Sequence, residues 1–256
     1  MVDVTRISDS VAAKIKYEEE DEIIVLLDAL GTKGIWNRKN PGDVLNTCSS
    51  LQVEFIMKIE SLKNELQTHG YLEEPRFQAF SDIIMISLPV RTRGVGSDRG
   101  RNPLWWTIMS MGELLSKLFR FSILNDFYFR RCVSAGKFYR SDNMIIGPTV
   151  DEAAEYHTLP EWSGTSTCPS ASKILTAAKE MWPSLSDFFV QYDIPLKNMI
   201  EKKGCALNWP TSKTEDKSKN LEFRLILYNE SRKTNGISAY FKIKNTLDFY
   251  DWATYR

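Results

Sequence analysis

The 256-residue chain carries 33 basic and 33 acidic residues, only two histidines, and 43% hydrophobic residues. Zero net charge gives no global field that would recruit nucleic acid or an anionic membrane, so any anionic ligand must be held locally. Two histidines exclude a histidine-rich metal centre, and the four widely spaced cysteines favour free thiols in a reducing compartment. The chain can bury a large core, and without an apolar leader or membrane-length run we expect a cytoplasmic protein.

The first segment with a clear pattern is 22–34, EIIVLLDALGTKG. Its apolar run at 23–27 has strand length and predicts a central strand that is covered on both faces. Residues 1 to about 20, together with the acidic run that ends at Glu22, predict a solvated lead-in or a dimer arm. Asp28 ends the strand, where a carboxylate can hold a phosphate-bound metal or can cap the next turn, and the segment alone leaves both open.

Two helices and a hairpin are predicted next. Residues 44–66 and 104–124 place apolar side chains every three or four positions, which predicts two amphipathic helices that cover the sheet. Residues 75–89 have strand composition interrupted at Ser81 and Asp82, which predicts a hairpin with a second carboxylate at its tip. The basic, glycine-rich loop at 91–103 is either a phosphate- or partner-contacting loop or a solvated one, and its composition favours a mobile, solvated loop.

Residues 128–139 predict a strand whose side chains become small at 134–136, just before Lys137. Small residues there allow another backbone or a ligand to approach closely. Gly147 and Pro148 then predict the start of a helix at 149–156. The remaining predicted elements are a short strand at 144–146, a helix at 170–181, an apolar segment at 188–192, a polar and disordered loop at 211–220, a strand at 221–228 and an aromatic C-terminal stretch.

The order of these parts, with the pattern G-x-x-V-x-x-A-A at 147–154, resembles the catalytic domain of class III nucleotidyl cyclases over roughly residues 20–160. The resemblance implies an α+β fold with a ferredoxin-like βαββαβ core and covering helices. It divides the chain into a lead-in (1–20), a catalytic core (21–160) and a C-terminal extension of the same domain (161–256). From its aromatic content, we expect the extension to continue the sheet and build a dimer.

The family forms dimers whose active sites lie at the interface, and it holds two divalent ions, Mn²⁺ or Mg²⁺, on a nucleoside triphosphate. The resemblance implies that Asp28, Asp82 and the main-chain carbonyl of Ala29 are the metal ligands, with both aspartates catalytic. The turn that follows can supply amides and one cation to the β- and γ-phosphates, through Gly31, Thr32 and Lys33. Lys33 can equally be a surface lysine. Lys137 stands where the family usually has a phosphate-binding arginine.

Departures from the family pattern concern the base and the transition state. The two base-reading positions of purine cyclases are Gln78 and Met144 here, which is a poor pair for reading adenine or guanine. The helix asparagine and arginine of the family are Asp151 and Glu155, and a carboxylate at the arginine position would repel a polyphosphate. A cation from Arg130, Arg131 or the 91–103 loop would have to replace that arginine.

This combination resembles the pyrimidine cyclases of bacterial Pycsar antiphage systems. Membership implies conversion of UTP or CTP to the 3′,5′-cyclic monophosphate, which activates a separate effector. Uridine is preferred only because it is more frequent in that family, since a glutamine amide can pair with either pyrimidine. Two alternatives are a catalytically inactive, nucleotide-binding cyclase-like protein and a two-metal nuclease or polymerase-like palm domain, which a neutral chain disfavours.

Overall fold

The computed structural model describes residues 18–30, 40–68, 76–80, 83–89, 103–141, 144–197, 200–211, 220–234 and 236–255. The strands in these ranges are β1 (Glu18–Ala29), β2 (Arg76–Phe80), β3 (Ile83–Pro89), β4 (Phe129–Ser141), β5 (Met144–Ile146), β6 (Thr165–Thr167), β7 (Phe189–Leu196) and β8 (Ile200–Leu207). The helices are α1 (Pro41–Thr68), α2 (Pro103–Leu124), α3 (Pro148–Tyr156), α4 (Pro169–Met181), α5 (Asn220–Lys233) and α6 (Ile237–Tyr255).

The strands form one sheet in the order β2-β3-β1-β4-β6-β8-β7, with β5 paired to β4. All pairings are antiparallel except that of β4 with β6. The first four strands and the two helices between them follow the chain order β1-α1-β2-β3-α2-β4. This is the predicted ferredoxin-like βαββαβ core, and the predicted α+β class is confirmed.

β1 is the central strand of this core because it is apolar on both faces. Ile23, Val25 and Leu27 point to one face, where they join the hydrophobic cluster that contains Leu115 of α2. Ile24, on the opposite face, is also completely buried. Since successive side chains alternate between faces, Asp28 lies on the same face as Ile24, away from α2.

The acidic run at the start of β1 corrects the prediction of a solvated lead-in that reaches Glu22. β1 begins at Glu18 and pairs with β4 from its first residue, Glu18 opposite Arg140. Glu22 is only 3% exposed and lies 3.9 Å from the guanidinium of Arg140. Strand pairing along this run, and a largely buried cation at Glu22, therefore hold residues whose composition alone predicted solvation.

The C-terminal part extends the sheet through β6, β8 and β7, as expected. The predicted strand at 221–228 is wrong, because this segment lies in α5. Its buried residues are Phe223, Leu227 and Ser231, and this spacing of four is that of one helix face. Glu222 in the first turn and basic residues in the last turn favour the helix dipole.

Within the described ranges, no helix combines the length and the apolar character needed to cross a membrane.

Candidate active site

Asp28 lies near the end of β1 and is paired across the sheet with Arg130 of β4 on one side and Ile83 of β3 on the other. Its side chain is 14% exposed. Nη2 of Arg130 donates a hydrogen bond to Oδ2 of Asp28, and Nη1 of Arg130 donates to the carbonyl oxygen of Thr158 at 3.3 Å. Asp28 is thus a partly buried carboxylate that shares the end of the sheet with a fixed guanidinium.

Arg130 and its neighbour Arg131, both considered above as replacement cations, point in opposite directions. Arg131 is only 1% exposed, and its guanidinium lies 4.2 Å from the ring centre of Phe119 in the core. Burial lowers the pKa of Arg131 to about 9. Of the two, only Arg130 lies beside a candidate metal ligand.

The donor atoms at Asp28 fit a hard divalent ion. Oδ2 is bound by Arg130, and Oδ1 has no hydrogen-bond or ion-pair partner among the described residues, so one carboxylate oxygen remains for coordination. Carboxylate and carbonyl oxygens are the ligands that Mg²⁺ and Mn²⁺ prefer. The residues described by the structure contain no group of three or more His, Cys, Asp or Glu that could hold a metal ion. A metal site at Asp28 would therefore need ligands beyond the Asp, Glu, His and Cys side chains of the described residues.

Four predicted site residues lie outside the described residues: Gly31, Thr32, Lys33 and Asp82. The described residues that flank them in the chain, Leu30 and Ile83, have defined partners. Leu30 donates its backbone N–H to the carbonyl of Tyr128 at 2.7 Å, and Ile83, which follows Asp82, lies directly opposite Asp28. The predicted hairpin is confirmed by the antiparallel pairing of β2 with β3.

Lys137 is distant from Asp28 within one chain. It lies opposite Asp21, which is seven residues from Asp28 along β1, or about 23 Å at the usual rise of a strand. Its side chain is 63% exposed, and Nζ lies 2.5 Å from the carboxylate of Glu19. The structure does not bring Lys137 and Asp28 together in one protomer.

A cavity of about 220 Å³ lies over β2, β3 and the β4–β5 hairpin. It contains Gln78, one of the predicted base-reading residues, whereas Met144 is 55% exposed and its neighbour Ile145 lines the cavity instead. The remaining lining residues are Arg76, Phe77, Met85, Ser87 and Arg140. Through the register of β2, β3 and β1, Gln78 is on the same face of the sheet as Asp28.

Arg140 connects this cavity to β1. Its Nη2 donates to Oγ of Ser87 at 2.6 Å, and its guanidinium lies 3.9 Å from the carboxylate of Glu22. Arg140 is a cavity residue that sequence reasoning missed, as are Arg76 and Ser87. Residues 76 and 78 are two positions apart in a predicted strand, so the sequence could have indicated that they share a face of the sheet. Their proximity to Arg140 of β4 depends on the pairing of the strands, which the sequence does not show.

The small residues at 134–136 accommodate α3. Ser134 donates its hydroxyl to the carbonyl of Thr149 at 2.8 Å, and the Thr149 hydroxyl donates to the carbonyl of Lys137 at 2.8 Å. Of the two partners predicted for this gap, a backbone rather than a ligand fills it. Asp151 and Glu155, on the same helix, are exposed.

Comparison with known proteins identifies the fold. No family model and no curated protein matches the sequence. Among solved structures, the chain is similar to the catalytic core of a rhodopsin-guanylyl cyclase with converted specificity, determined in complex with ATPαS. The TM-score is 0.50 at 11% identity, over 75% of this chain and 98% of that chain.

Two further similarities have lower scores, and we draw nothing from them. One is to a monomeric guanylyl cyclase domain from the aquatic fungus Blastocladiella emersonii, with TM-score 0.49 and 10% identity, over 75% of this chain and 97% of that chain. The other is to an adenylate/guanylate cyclase/hydrolase from Silicibacter pomeroyi, with TM-score 0.46 and 13% identity, over 75% and 97%.

At this level of identity the comparison concerns the fold. The α+β fold, with its mostly antiparallel sheet and βαββαβ core, is that of a class III cyclase catalytic domain. Asp28 lies near the end of the central strand of this core.

Proposed function

We propose that the protein is a nucleotidyl cyclase that converts UTP to 3′,5′-cyclic UMP and pyrophosphate. The observation that carries the proposal is the position of Asp28 in a cyclase fold. Its carboxylate is partly buried at the end of the central strand, keeps one oxygen without a described partner, and lies beside Arg130. Ile83, opposite Asp28, is the chain neighbour of Asp82, so two carboxylates can share this end of the sheet.

Asp28, Asp82 and the carbonyl of Ala29 would hold two divalent ions, Mn²⁺ or Mg²⁺. When bound there, the ions lower the pKa of the ribose 3′-hydroxyl and neutralise the leaving pyrophosphate. The reaction forms a bond between the 3′-oxygen and the α-phosphorus, breaks the bond from that phosphorus to the α,β-bridging oxygen, and releases the hydroxyl proton. The oxygen ligands of the chain fix where the hydroxyl and the α-phosphate meet.

The polyphosphate needs further positive charge and N–H donors. Gly31, Thr32 and Lys33 follow Asp28 closely in the chain and would supply amides and one cation to the β- and γ-phosphates. Arg130 lies at Asp28 already and would supply a second cation from the same protomer. We assign to Arg130 the role of the family's helix arginine in stabilising the transition state, which the carboxylate of Glu155 cannot perform.

Lys137 supports an active site shared between two protomers. It is about 23 Å from Asp28 along the sheet of one chain and is well exposed. A homodimer with sites at the interface would allow Lys137 and the exposed Met144 of one protomer to reach a triphosphate held by Asp28 of its partner.

The cavity that contains Gln78 supports a pyrimidine base. Its volume of about 220 Å³ is below the roughly 300–1,000 Å³ of whole-ligand pockets, which fits a ring rather than a nucleotide. Arg76 and Arg140 in its lining are hydrogen-bond donors only. Uracil presents a carbonyl acceptor at C4 where cytosine presents an amino donor, so a guanidinium that contacts the C4 substituent would favour uracil.

The resemblance to Pycsar cyclases supports a role for cyclic UMP as a second messenger that acts on a separate effector in antiphage defence. Such a role places the enzyme in the cytoplasm, with its nucleotide substrate. Cytidylate cyclase activity, from CTP to cyclic CMP, is the related alternative for the same site.

The test is to incubate the protein with each of the four ribonucleoside triphosphates and Mn²⁺ and to identify the products by mass spectrometry. Cyclic UMP from the native protein, lost in both Asp28→Ala and Asp82→Ala, is the expected result. A purine cyclic nucleotide as the main product would contradict the base assignment. Turnover by a protein that is strictly monomeric in solution would contradict the shared site.

A catalytically inactive, nucleotide-binding cyclase fold is the second candidate. It is favoured by two observations: Arg130 occupies one oxygen of Asp28, and Glu155 places an exposed carboxylate at the family arginine position. This candidate predicts that triphosphate binds with Mn²⁺ but yields no cyclic product from any of the four nucleotides.

A further inference from the structure

The segment 158–163, which links α3 to β6, contacts the candidate active site directly. The carbonyl oxygen of Thr158 accepts a hydrogen bond from Nη1 of Arg130 at 3.3 Å, while Nη2 of the same guanidinium binds Asp28. At its other end, the hydroxyl of Ser163 donates to the carbonyl of Phe129 at 3.1 Å, one residue before Arg130. The 158–163 segment therefore fixes Arg130 from both its side chain and its neighbouring backbone.

Helix α6, in the C-terminal extension, holds the 158–163 segment in place. Nδ2 of Asn245 donates to the carbonyl of Glu161 at 2.6 Å, and Nζ of Lys242 lies 3.8 Å from the Glu161 carboxylate. Both side chains of that ion pair are largely buried, at 20% and 18% exposure. The backbone N–H of Ser163 donates to Oγ1 of Thr246 at 2.8 Å, in a fully buried contact.

The charges of Arg130 and Asp28 in the candidate active site also act on Lys242. Partial burial lowers the pKa of Lys242, Glu161 opposes this shift, and the positive charge of Arg130 adds to it. Lys242 therefore lies within electrostatic range of Glu161 and Arg130. Its pairing with Glu161 joins α6 to the 158–163 segment by charge, beside the hydrogen bond from Asn245.

We propose that Lys242 and Asn245 of α6 are positioning residues, which hold the 158–163 segment so that Thr158 keeps Arg130 directed at Asp28 and at the polyphosphate beside it. The proposal rests on the proposed cyclase function for its catalytic consequence. It gives α6 a task in the active site of the same protomer, although α6 contributes no group that touches the substrate.

The first experiment measures triphosphate binding and turnover in Lys242→Met, which removes the charge but keeps the chain length. We expect KM for UTP, and the Kd of the non-cyclisable analogue α,β-methylene-UTP with Mn²⁺, to rise about fivefold, a usual size for coupling between contacting residues. Lys242→Arg, which keeps the positive charge, should leave KM and Kd at their wild-type values. Lys244→Met is the matched control, because Lys244 is on the same helix and pairs with Asp248 instead, and it should behave as wild type.

A double-mutant cycle decides whether Lys242 acts through Arg130. In the Arg130→Met background, Lys242→Met should add no further loss of binding, because the positioned group is gone. A full, additive loss in that background would overturn the proposal, as would wild-type binding in Lys242→Met. Asn245→Ala should show the same dependence on Arg130.

A readout without nucleotide separates this proposal from the proposed function. The Nε–Hε NMR signal of Arg130, assigned with Arg130→Lys, should shift and exchange faster with solvent in Lys242→Met but not in Lys244→Met. If the wild type makes no cyclic nucleotide, the cyclase assignment fails while this signal still decides the positioning role. An unchanged Arg130 signal in Lys242→Met overturns the positioning role even in an active enzyme.

Discussion

Arg130 and Asp28 face each other across β4 and β1, and the guanidinium donates to one oxygen of the carboxylate. Both side chains are 14% exposed, so the contact is shielded from bulk solvent. A divalent ion and this guanidinium would act on the same carboxylate. In the proposed cyclase, the pair would therefore set both the charge available to a triphosphate and the affinity of Asp28 for metal.

Arg130→Met is expected to change nucleotide turnover and metal binding in opposite directions. The kcat/KM for UTP should fall about 100-fold, as when one preorganised donor to a developing charge is removed. In the absence of nucleotide, Mn²⁺ should bind about threefold more tightly, because a positive charge next to Asp28 is lost. Initial rates and Mn²⁺ titration by electron paramagnetic resonance measure the two effects.

The control for this prediction is Arg232→Met, which removes an exposed arginine on α5 that stacks over Tyr228. It should leave both values unchanged. Weaker Mn²⁺ binding in Arg130→Met would show that the guanidinium supports the metal ligand instead of competing for it.

The choice between pyrimidines is expected to depend on the arginines of the Gln78 cavity. Arg76→Met should lower the ratio of UTP to CTP turnover about tenfold, since one well-placed donor pair is worth about 1–3 kcal/mol of base discrimination. Measuring kcat/KM for both nucleotides gives the ratio. Arg224→Met, at an arginine paired with Asp251 on the helices, should keep the wild-type ratio. Equal losses for UTP and CTP in Arg76→Met would remove Arg76 from base selection.

How far the sequence predicts this molecule depends on whether a feature is local. The central strand, the hairpin that frames Asp82 and the helices α1 and α2 follow from periodicities that are visible in short windows. α5 was missed because six of its eight residues from 221 to 228 are apolar. Such a run does not show which of them share a face, whereas the structure buries Phe223 and Leu227 and exposes Leu221 and Leu225.

The candidate site likewise has features that are local in the sequence and features that depend on the pairing of distant strands. The position of Asp28 at the end of a strand was predicted because it is a local feature, whereas its role as a metal ligand was implied by the family resemblance. Its contact with Arg130, 102 residues away in the chain, requires the register of β1 with β4. The cavity residues Arg76 and Arg140 require the register of four strands, and no single-sequence pattern supplies it.

Gly136 is expected to tolerate no side chain, because it has a positive φ of 140° and lies under α3. A Cβ there would meet Oγ1 of Thr149 at 3.0 Å. Gly136→Ala should lower the free energy of unfolding by about 1–3 kcal/mol, the usual cost of a strained backbone conformation. Urea unfolding measures the loss. Gly236→Ala, where an added Cβ meets nothing closer than 4.0 Å, should stay within about 0.5 kcal/mol of wild type.

The two buried arginines Arg131 and Arg120 are expected to respond oppositely to the same substitution. The structure shows no carboxylate partner for Arg131 among the described residues, and burial lowers the pKa of Arg131 to about 9. Replacing such an uncompensated charge by an apolar side chain of similar size should raise the free energy of unfolding, by about 1–2 kcal/mol in Arg131→Met. Arg120 instead donates to the carbonyls of Trp209 and Pro210 at 3.0 and 2.8 Å. Arg120→Met should therefore be destabilising, because it leaves those oxygens unsatisfied.

The gain in Arg131→Met should also depend on pH. The pKa of Arg131 is about 9 in the folded chain against an ordinary value of 12.5, so above pH 9 the unfolded chain binds more protons and wild-type stability rises with pH through this group. The advantage of the variant should be complete below pH 9 and should shrink as the pH is raised to about 10.5. Chemical unfolding of both proteins at each pH gives the difference. A variant that is less stable than wild type at neutral pH would show that the stacking of Arg131 on Phe119 outweighs the cost of burying its charge.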